Sequence, residues 1–404
     1  DINNKTEIFV RKVITDIQKN KDKSLVKYVS QYDNKNISNT KKLLVTKSEI
    51  KQAYKIASTD QISNLKKAIN RIRKFAKKQL HKSWSYKDKS STLGEKVTAI
   101  DSVGVYVPGG KASYPSTVMM NVIPARVAGV RKIYMSCPID DIKNHSLAIV
   151  AADLCKVDSI FKMGGAHSIA ALAYGTPTIP KVDKIVGPGN LFVSTAKKFV
   201  FGDVGIDNIA GPSEIVIVAD KKNNPDMIAI DLFSQAEHDE LAQPILISKS
   251  HLLIESVFNS MKKLLPRMSR KKIIMESIKN RGLFIKTNSD SETANIVNTI
   301  APEHLELMYH DKKFLKQIRN AGAIFLGENS PEVFGDYCAG PNHVLPTSGS
   351  ARFSSPLGVY DFLKRSSVIN ISKKDANVLS KISSVLADAE GLQAHSLSAK
   401  IRGK

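Results

Sequence analysis

The chain has 404 residues, 42% of them hydrophobic and 24% charged, which excludes a wholly disordered, collagenous or coiled-coil chain and leaves room for two to four domains of roughly 100–200 residues. No apolar run approaches the ~18–20 residues of a membrane span, the opening DINNKTEIFVRK has no apolar core of a signal peptide, and three scattered cysteines (Cys137, Cys155, Cys338) without a CxxC fit a reducing cytoplasm. A net charge of +22 points toward nucleic acid, but lysine outnumbers arginine 48 to 12 and the basic residues are spread along the chain, whereas phosphate and base recognition favours the arginine fork; neither a nucleic-acid nor a membrane partner is expected.

The first hundred residues read as helical. Ile8, Val10, Val13, Ile14 and Ile17 recur at helical spacing, and 50–56 and 62–75 repeat the pattern with Lys and Arg between, an amphipathic helical pair. The polar stretch 83–94 reads as a loop. From Val103 short β-branched runs alternate with helices. VGVYV, KIYMSCP, SIFKMGG and KIVGPG read as strands, and STVMMNVIPARVAGV, HSLAIVAADLCKV, HSIAALAYG and NLFVSTAKKFVFGD as the helices between. Strands of about five residues alternating with longer helices specify a parallel sheet with helices on its faces. A second series follows, with strands SEIVIVAD, PILISK, GLFIKT and AIFLG and helices at 225–237, 254–264 and 291–300. The two series are consistent with an old duplication. After Gly327 the chain reads as loop-rich to Ser355, then as a helical tail from about 374 to 399.

Four glycine loops fall near strand ends: Gly109-Gly110, Gly164-Gly165, Gly187-Pro-Gly189-Asn190 and Gly211-Pro-Ser213. In open α/β sheets ligands sit beyond the carboxyl ends of strands, where glycine lets backbone approach them. None is a GxGxxG, but together they suggest an anionic or nucleotide ligand. In FSQAEHDE, Gln235 and His238 stand three apart at a helix end, on one face. Asp336 lies in a Gly335-Asp336-Tyr337 loop, His343 in Gly-Pro-Asn-His, and Glu390 and His395 in the tail. Such a set offers N and O donors, suited to zinc or another divalent first-row ion. Glu303-His304 follows a proline, so the pair is placed on a turn; it reads either as a surface turn or as a carboxylate and an imidazole sharing proton traffic.

In YVPGGKASYPSTVMMNVIPARVAGV, GPGNLFVSTAKK, AGPSEIVIVAD, FSQAEHD, APEHLEL, GDYCAGPNHVLPT and LQAHSLSAKIR the chain resembles the histidinol dehydrogenase family along its whole length. The resemblance implies a cytoplasmic homodimer of histidine biosynthesis. It oxidises L-histidinol to L-histidine through L-histidinaldehyde, with one Zn2+ per subunit and NAD+ as co-substrate. It implies two related incomplete Rossmann-like α/β domains with parallel sheets, plus helical terminal segments. The expected division is 1–102, helical and in part packed with the second α/β domain; 103–212, the NAD side; 213–345, the zinc and catalytic side; and 346–404, a loop and helical tail making dimer contacts. By resemblance Gln235, His238, Asp336 and His395 match the zinc ligands, and Glu303 and His304 the catalytic acid–base pair. Ser213, His343 and Glu390 match substrate-contacting positions, as the zinc ligands and His304 also do. Tyr106, His167 and Asn190 match NAD-contacting positions, with His167 standing where the family usually has glutamine. The family's tail crosses between subunits, so His395 and Glu390 are expected to serve the partner's site. A metal-dependent hydrolase, the rival reading of the same donors, would make no NADH.

Overall fold

Helices α1 (Ile2–Asn20), α2 (Asp22–Tyr32), α3 (Lys47–Ile56) and α4 (Thr59–Ala76) open the chain. The computed structural model describes residues 2–109, 114–209, 211–309 and 311–403; Gly110, half of the first glycine pair, lies outside them. Capping boxes start α3 (Thr46 with Glu49) and α4 (Ser58 with Gln61), each satisfying two otherwise orphaned amides. The helical pair read from periodicity is thus a set of four. Leu25, Tyr28 and Val29 bury α2 alongside Val10, Val13 and Ile17 of α1.

The expected loop at 83–94 is instead a hairpin. β1 (Trp84–Asp88) pairs antiparallel with β2 (Ser91–Ala99) from Trp84↔Glu95 to Asp88↔Ser91, and Lys89 takes a positive φ in the turn. β1 is exposed at every position, so it carries no alternation of buried and exposed residues to betray a strand.

The first α/β unit runs β3 (Ser102–Tyr106), α5 (Pro115–Ala128), β4 (Lys132–Cys137), α6 (Ile142–Leu154), β5 (Ser159–Lys162), α7 (Gly165–Tyr174), β6 (Lys184–Val186), α8 (Leu191–Val200) and β7 (Gly205–Ile206). The second runs β8 (Glu214–Ala219), α9 (Pro225–Ala236), β9 (Gln243–Ser248), α10 (His251–Leu264), α11 (Lys271–Arg281), β10 (Leu283–Lys286), α12 (Asp290–Ile300), β11 (His304–Leu307), α13 (Lys312–Leu315), β12 (Ala323–Leu326) and α14 (Glu332–Tyr337). Both sheets are parallel. Their orders, β5-β4-β3-β6-β7 and β10-β9-β8-β11-β12, repeat one topology, which is the structural form of the suspected duplication. Central strands are continuous runs of buried Val and Ile, β8 being buried throughout, as helices on both faces require.

The tail is β13 (Leu363–Asn370), α15 (Lys373–Ala389) and α16 (Gln393–Arg402). β13 adds antiparallel to β2, inside a region read as loop and helix. Gly391, at φ +74, separates α15 from α16. α1 and α2 pack on α7, α1 also on α8, while α3 packs on α6 and α4 on α5 and α6. The N-terminal segment therefore packs chiefly on the first unit. It reaches the second where Arg71 donates to the carbonyls of Cys338 (2.7 Å) and Ala339 (3.3 Å). Among the described residues no helix is long and apolar enough to cross a membrane.

Candidate active site

Beyond the carboxyl ends of the first sheet lies a cavity of about 810 Å³, lined by Tyr106, His167 and Asn190 together with Asp33, Asp140 and Phe192. Three residues distant in sequence thus meet at one ligand-sized space. Tyr106 ends β3, and its hydroxyl oxygen accepts the Gly165 N–H at 3.3 Å. Asn190 caps α8, its Oδ1 accepting the amides of Phe192 (3.1 Å) and Val193 (3.2 Å). His167, on the first turn of α7, pairs through Nε2 with Asp33 at 2.7 Å and stacks on Tyr28. Asp33 also accepts the Gly164 N–H at 2.7 Å, so an N-terminal residue that sequence reasoning passed over holds the glycine loop.

Gly187, between β6 and α8, has φ +113, and a Cβ there would run into the Tyr106 carbonyl oxygen. Buried Lys197 and Asp207 form an ion pair that clamps its peptide: Asp207 accepts the Gly187 N–H (2.7 Å) and Lys197 donates to the Gly187 carbonyl (3.0 Å). Gly187→Ala is expected to cost about 1–3 kcal/mol from the backbone strain alone and to weaken dinucleotide binding. Thermal melting and calorimetric titration check both; an unchanged melting temperature contradicts the strain.

A second centre forms at the amino ends of β8 and β11. The glycine loops of the first unit obey the carboxyl-end expectation, but this centre does not. α9 runs back antiparallel to the strands and delivers Gln235 at its last turn and His238 just beyond it to the opposite edge. His304 is the first residue of β11 rather than part of a free turn. Ala301 at φ 49 ends α12, and Pro302 leads directly into Glu303 and the strand.

The His304 Nδ1–H donates to the Glu214 carbonyl at 3.0 Å. That leaves Nε2 buried without a hydrogen-bond partner, 3.7 Å from Asp336 Oδ1. Burial alone would lower the imidazole's pKa, but the carboxylates of Glu332, Glu303 and Asp336 outweigh it and raise it well above the ordinary value. Glu303 is buried, accepts the Glu214 N–H at 2.9 Å, and has its pKa pushed by burial to about 7, against the pull of His304. With its amide nitrogen turned inward, Gln235 lies 3.0 Å from His304 Nδ1. Because that nitrogen is protonated toward Glu214, the amide donates instead to Glu332 at 3.1 Å and to the Glu214 carbonyl at 3.3 Å, leaving its carbonyl oxygen as the atom available to a cation. Burial would raise Asp336, yet the imidazoles of His304, His343 and His238 hold it below the usual carboxylate range. His343 is half-buried, and desolvation lowers its pKa with Asp336 opposing; the same two effects act on His238 at the exposed rim.

His304, Glu332 and Asp336 place one ligand atom each within 4.8 Å of one another, a group able to hold a metal ion. Asp336 was expected there; Glu332 was not. The available signal was its i, i+4 spacing from Asp336 within PEVFGD, which puts both on one helical face. The open side is a cleft of about 570 Å³ lined by His304, Asp336, His343, Phe325 and Phe334. Ser213 immediately precedes β8 beside Glu214. Glu390 and His395 do not join these residues within one chain: both are exposed on the tail.

A dinucleotide-sized cavity on one sheet, and an imidazole ringed by carboxyls at a metal-capable centre on its repeat, define a dinucleotide-dependent oxidoreductase of two α/β units. The profile of the histidinol dehydrogenase family matches residues 1–403. A histidinol dehydrogenase from Hydrogenovibrio crunogenus is 50% identical over 100% of this chain and 93% of its own length, and one from Nitrosospira multiformis is 51% identical over 98% and 91%. The crystal structure of histidinol dehydrogenase from Elizabethkingia anophelis superposes with a TM-score of 0.94 at 33% identity, covering 100% of this chain and 92% of that one. The chain belongs to the histidinol dehydrogenase family, NAD-dependent oxidoreductases of histidine biosynthesis.

Proposed function

We propose that the chain oxidises L-histidinol to L-histidine through L-histidinaldehyde, with one zinc ion per subunit and two NAD+ consumed in turn, in a homodimer whose subunits complete each other's sites. The observation that carries this reading is the buried, unpartnered Nε2 of His304 facing Asp336 at an open cleft.

The donors fit zinc. The Gln235 carbonyl oxygen, a neutral His238 and an ionised Asp336 are in the protonation states a metal accepts. Glu214, Glu303, Glu306 and Glu332 are all buried close by, a concentration of carboxyls that a cation offsets. When bound, zinc supplies a template for the imidazole and amine nitrogens of histidinol. The protein's own groups do the rest. A cation bound here would offset the carboxylates that hold the His304 pKa high; with Nδ1–H turned to the Glu214 carbonyl, Nε2 then takes the proton from the substrate hydroxyl as hydride departs to NAD+. Glu303, poised near neutrality, takes a proton from water as the hydroxide adds to the aldehyde carbon, and His304 returns the proton it took to the aldehyde oxygen, giving the hydrate. The freed Nε2 then accepts a hydroxyl proton from the hydrate as the second hydride leaves, and the resulting acid ionises to the carboxylate. Ser213 and His343 of the same subunit, with Glu390 of the partner subunit, hold the substrate, while Tyr106, His167 and Asn190 hold NAD+ in the cavity of the first unit.

The tail supports the crossed arrangement. Ile382, Val385 and Leu386 of α15 and Leu397 and Ile401 of α16 are exposed, an apolar face that no described residue of its own chain covers. His395, exposed on the same tail, is not part of this subunit's metal-capable group. A strong chelator is expected to lower histidinol-dependent NADH formation by at least ~100-fold, an effect on the scale of losing a metal's contribution to a site, and added zinc to restore it. Full turnover in a demonstrably metal-free preparation rejects the zinc reading.

A further inference from the structure

The strand order β5-β4-β3-β6-β7 is that of a dinucleotide fold. There the strand beside the central one, on the side away from the crossover, brings an acidic residue to the adenosine ribose. That strand here is β4, and the acid that follows it into the cavity is Asp140. Its carboxylate is fixed in place: Oδ1 accepts the Asp141 N–H at 2.8 Å and pairs with buried His145 Nε2 at 3.1 Å. Its main-chain carbonyl is gripped by the Asn34 amide at 3.2 Å. The side chain is otherwise 60% exposed, toward the cavity it lines. On the same lining Phe9 meets Tyr32 and Phe192 edge to face, with centroids 5.9 and 5.7 Å apart, a surface on which a purine stacks.

We infer that Asp140 accepts a hydroxyl of the adenosine ribose and repels a phosphate at its 2′ position, making this carboxylate the residue that selects NAD+ over NADP+. The inference deepens the cofactor assignment above and rests on it. Asp33, the other carboxylate on the lining, holds the Gly164 amide and His167 through Oδ2 and is only 7% exposed, so it offers a ribose far less access than Asp140 does. The amide bonds and His145 hold Asp140 below the usual carboxylate range despite its partial burial, so it is charged at neutral pH. Across the lining Lys5 is exposed, and its charge is screened by solvent.

Calorimetric titration of the dimeric protein with NAD+ and with NADP+, alongside kcat/KM for each with histidinol, tests the assignment. The unsubstituted protein is expected to prefer NAD+ by ~100-fold or more, as juxtaposed like charges dictate. Asp140→Asn and Asp140→Ala are each expected to cut that preference at least ~tenfold, chiefly by tightening NADP+. An unchanged affinity ratio in both variants, or no preference in the unsubstituted protein, overturns the inference. Phe192→Ala and Asn190→Ala separate it from the cavity assignment. If neither alters the affinity for NAD+, the cavity is not the cofactor site. If they weaken both dinucleotides while the Asp140 variants leave the ratio intact, the selectivity inference alone falls.

Discussion

His304→Asn is expected to lose about 10²- to 10⁴-fold in both oxidations, the contribution of a positioned general base, whereas Glu303→Gln should spare the first. The difference follows from where each group points. Nε2 of His304 opens toward Asp336 and the cleft, and a hydroxyl proton must leave in each hydride transfer. Glu303 is tied to the Glu214 amide at 2.9 Å, and its role begins only when water is needed. Supplied with histidinaldehyde, Glu303→Gln is therefore expected to fall by ~100-fold or more, with histidinol oxidation to the aldehyde changed by a small factor. The pH dependence carries the same signature. Burial pushes Glu303 up to about 7 and it acts as a carboxylate, so aldehyde oxidation rises with pH through about 7. Below that value the group is protonated and the rate falls. The limb should vanish in Glu303→Gln. Rapid-mixing measurements of the two half-reactions across pH decide the matter; equal losses in both contradict the division of labour.

What the sequence disclosed follows from what each signal depends on. The central strands of the two α/β units are buried, and burial on both faces is written as runs of Val and Ile; hence β3 to β6, β8 and β9 were legible, while the partly exposed β10 and β12 were read from their short apolar runs. β1 and β13 expose nearly every residue and owe their existence to pairing with β2, a long-range match that leaves no periodic trace. α11 buries Ile274 and Ser277 and little else, so its pattern is faint. At the site, Gln235, Glu303, His304 and Asp336 do converge in space. Glu332 and Glu214 were overlooked because a buried carboxyl looks like a surface one until its neighbours are known. Asp33 supports the Gly164-Gly165 loop from α2's end, 131 residues before Gly164, and no local pattern marks such a contact. The reverse holds for Glu390 and His395. Resemblance singled them out, yet the folded single chain leaves them exposed and apart from the other site residues.

That separation can be turned into a decisive measurement. An Asp336→Ala homodimer and a His395→Asn homodimer should each be nearly inactive, since loss of one ligand disables a metal site. Unfolded, mixed in equal amounts and refolded together, they pair at random, and about half the dimers contain one chain of each kind. In a mixed dimer with crossed tails, one site combines Asp336 of the His395→Asn chain with His395 of the other and is intact, while the second site bears both lesions. Half the dimers with one working site in two return roughly a quarter of the unsubstituted activity when sites act independently. A tail folded onto its own subunit leaves a lesion in every site, and nothing returns. The exposed faces of α15 and α16 give a second readout of the same geometry. If α15 and α16 cross, charged residues at Val385 and Leu397, both exposed in the single chain, should dissociate the dimer and abolish activity together. Sedimentation of such variants as dimers, or an absence of recovery in refolded mixtures shown to contain mixed dimers, rejects the crossed tail.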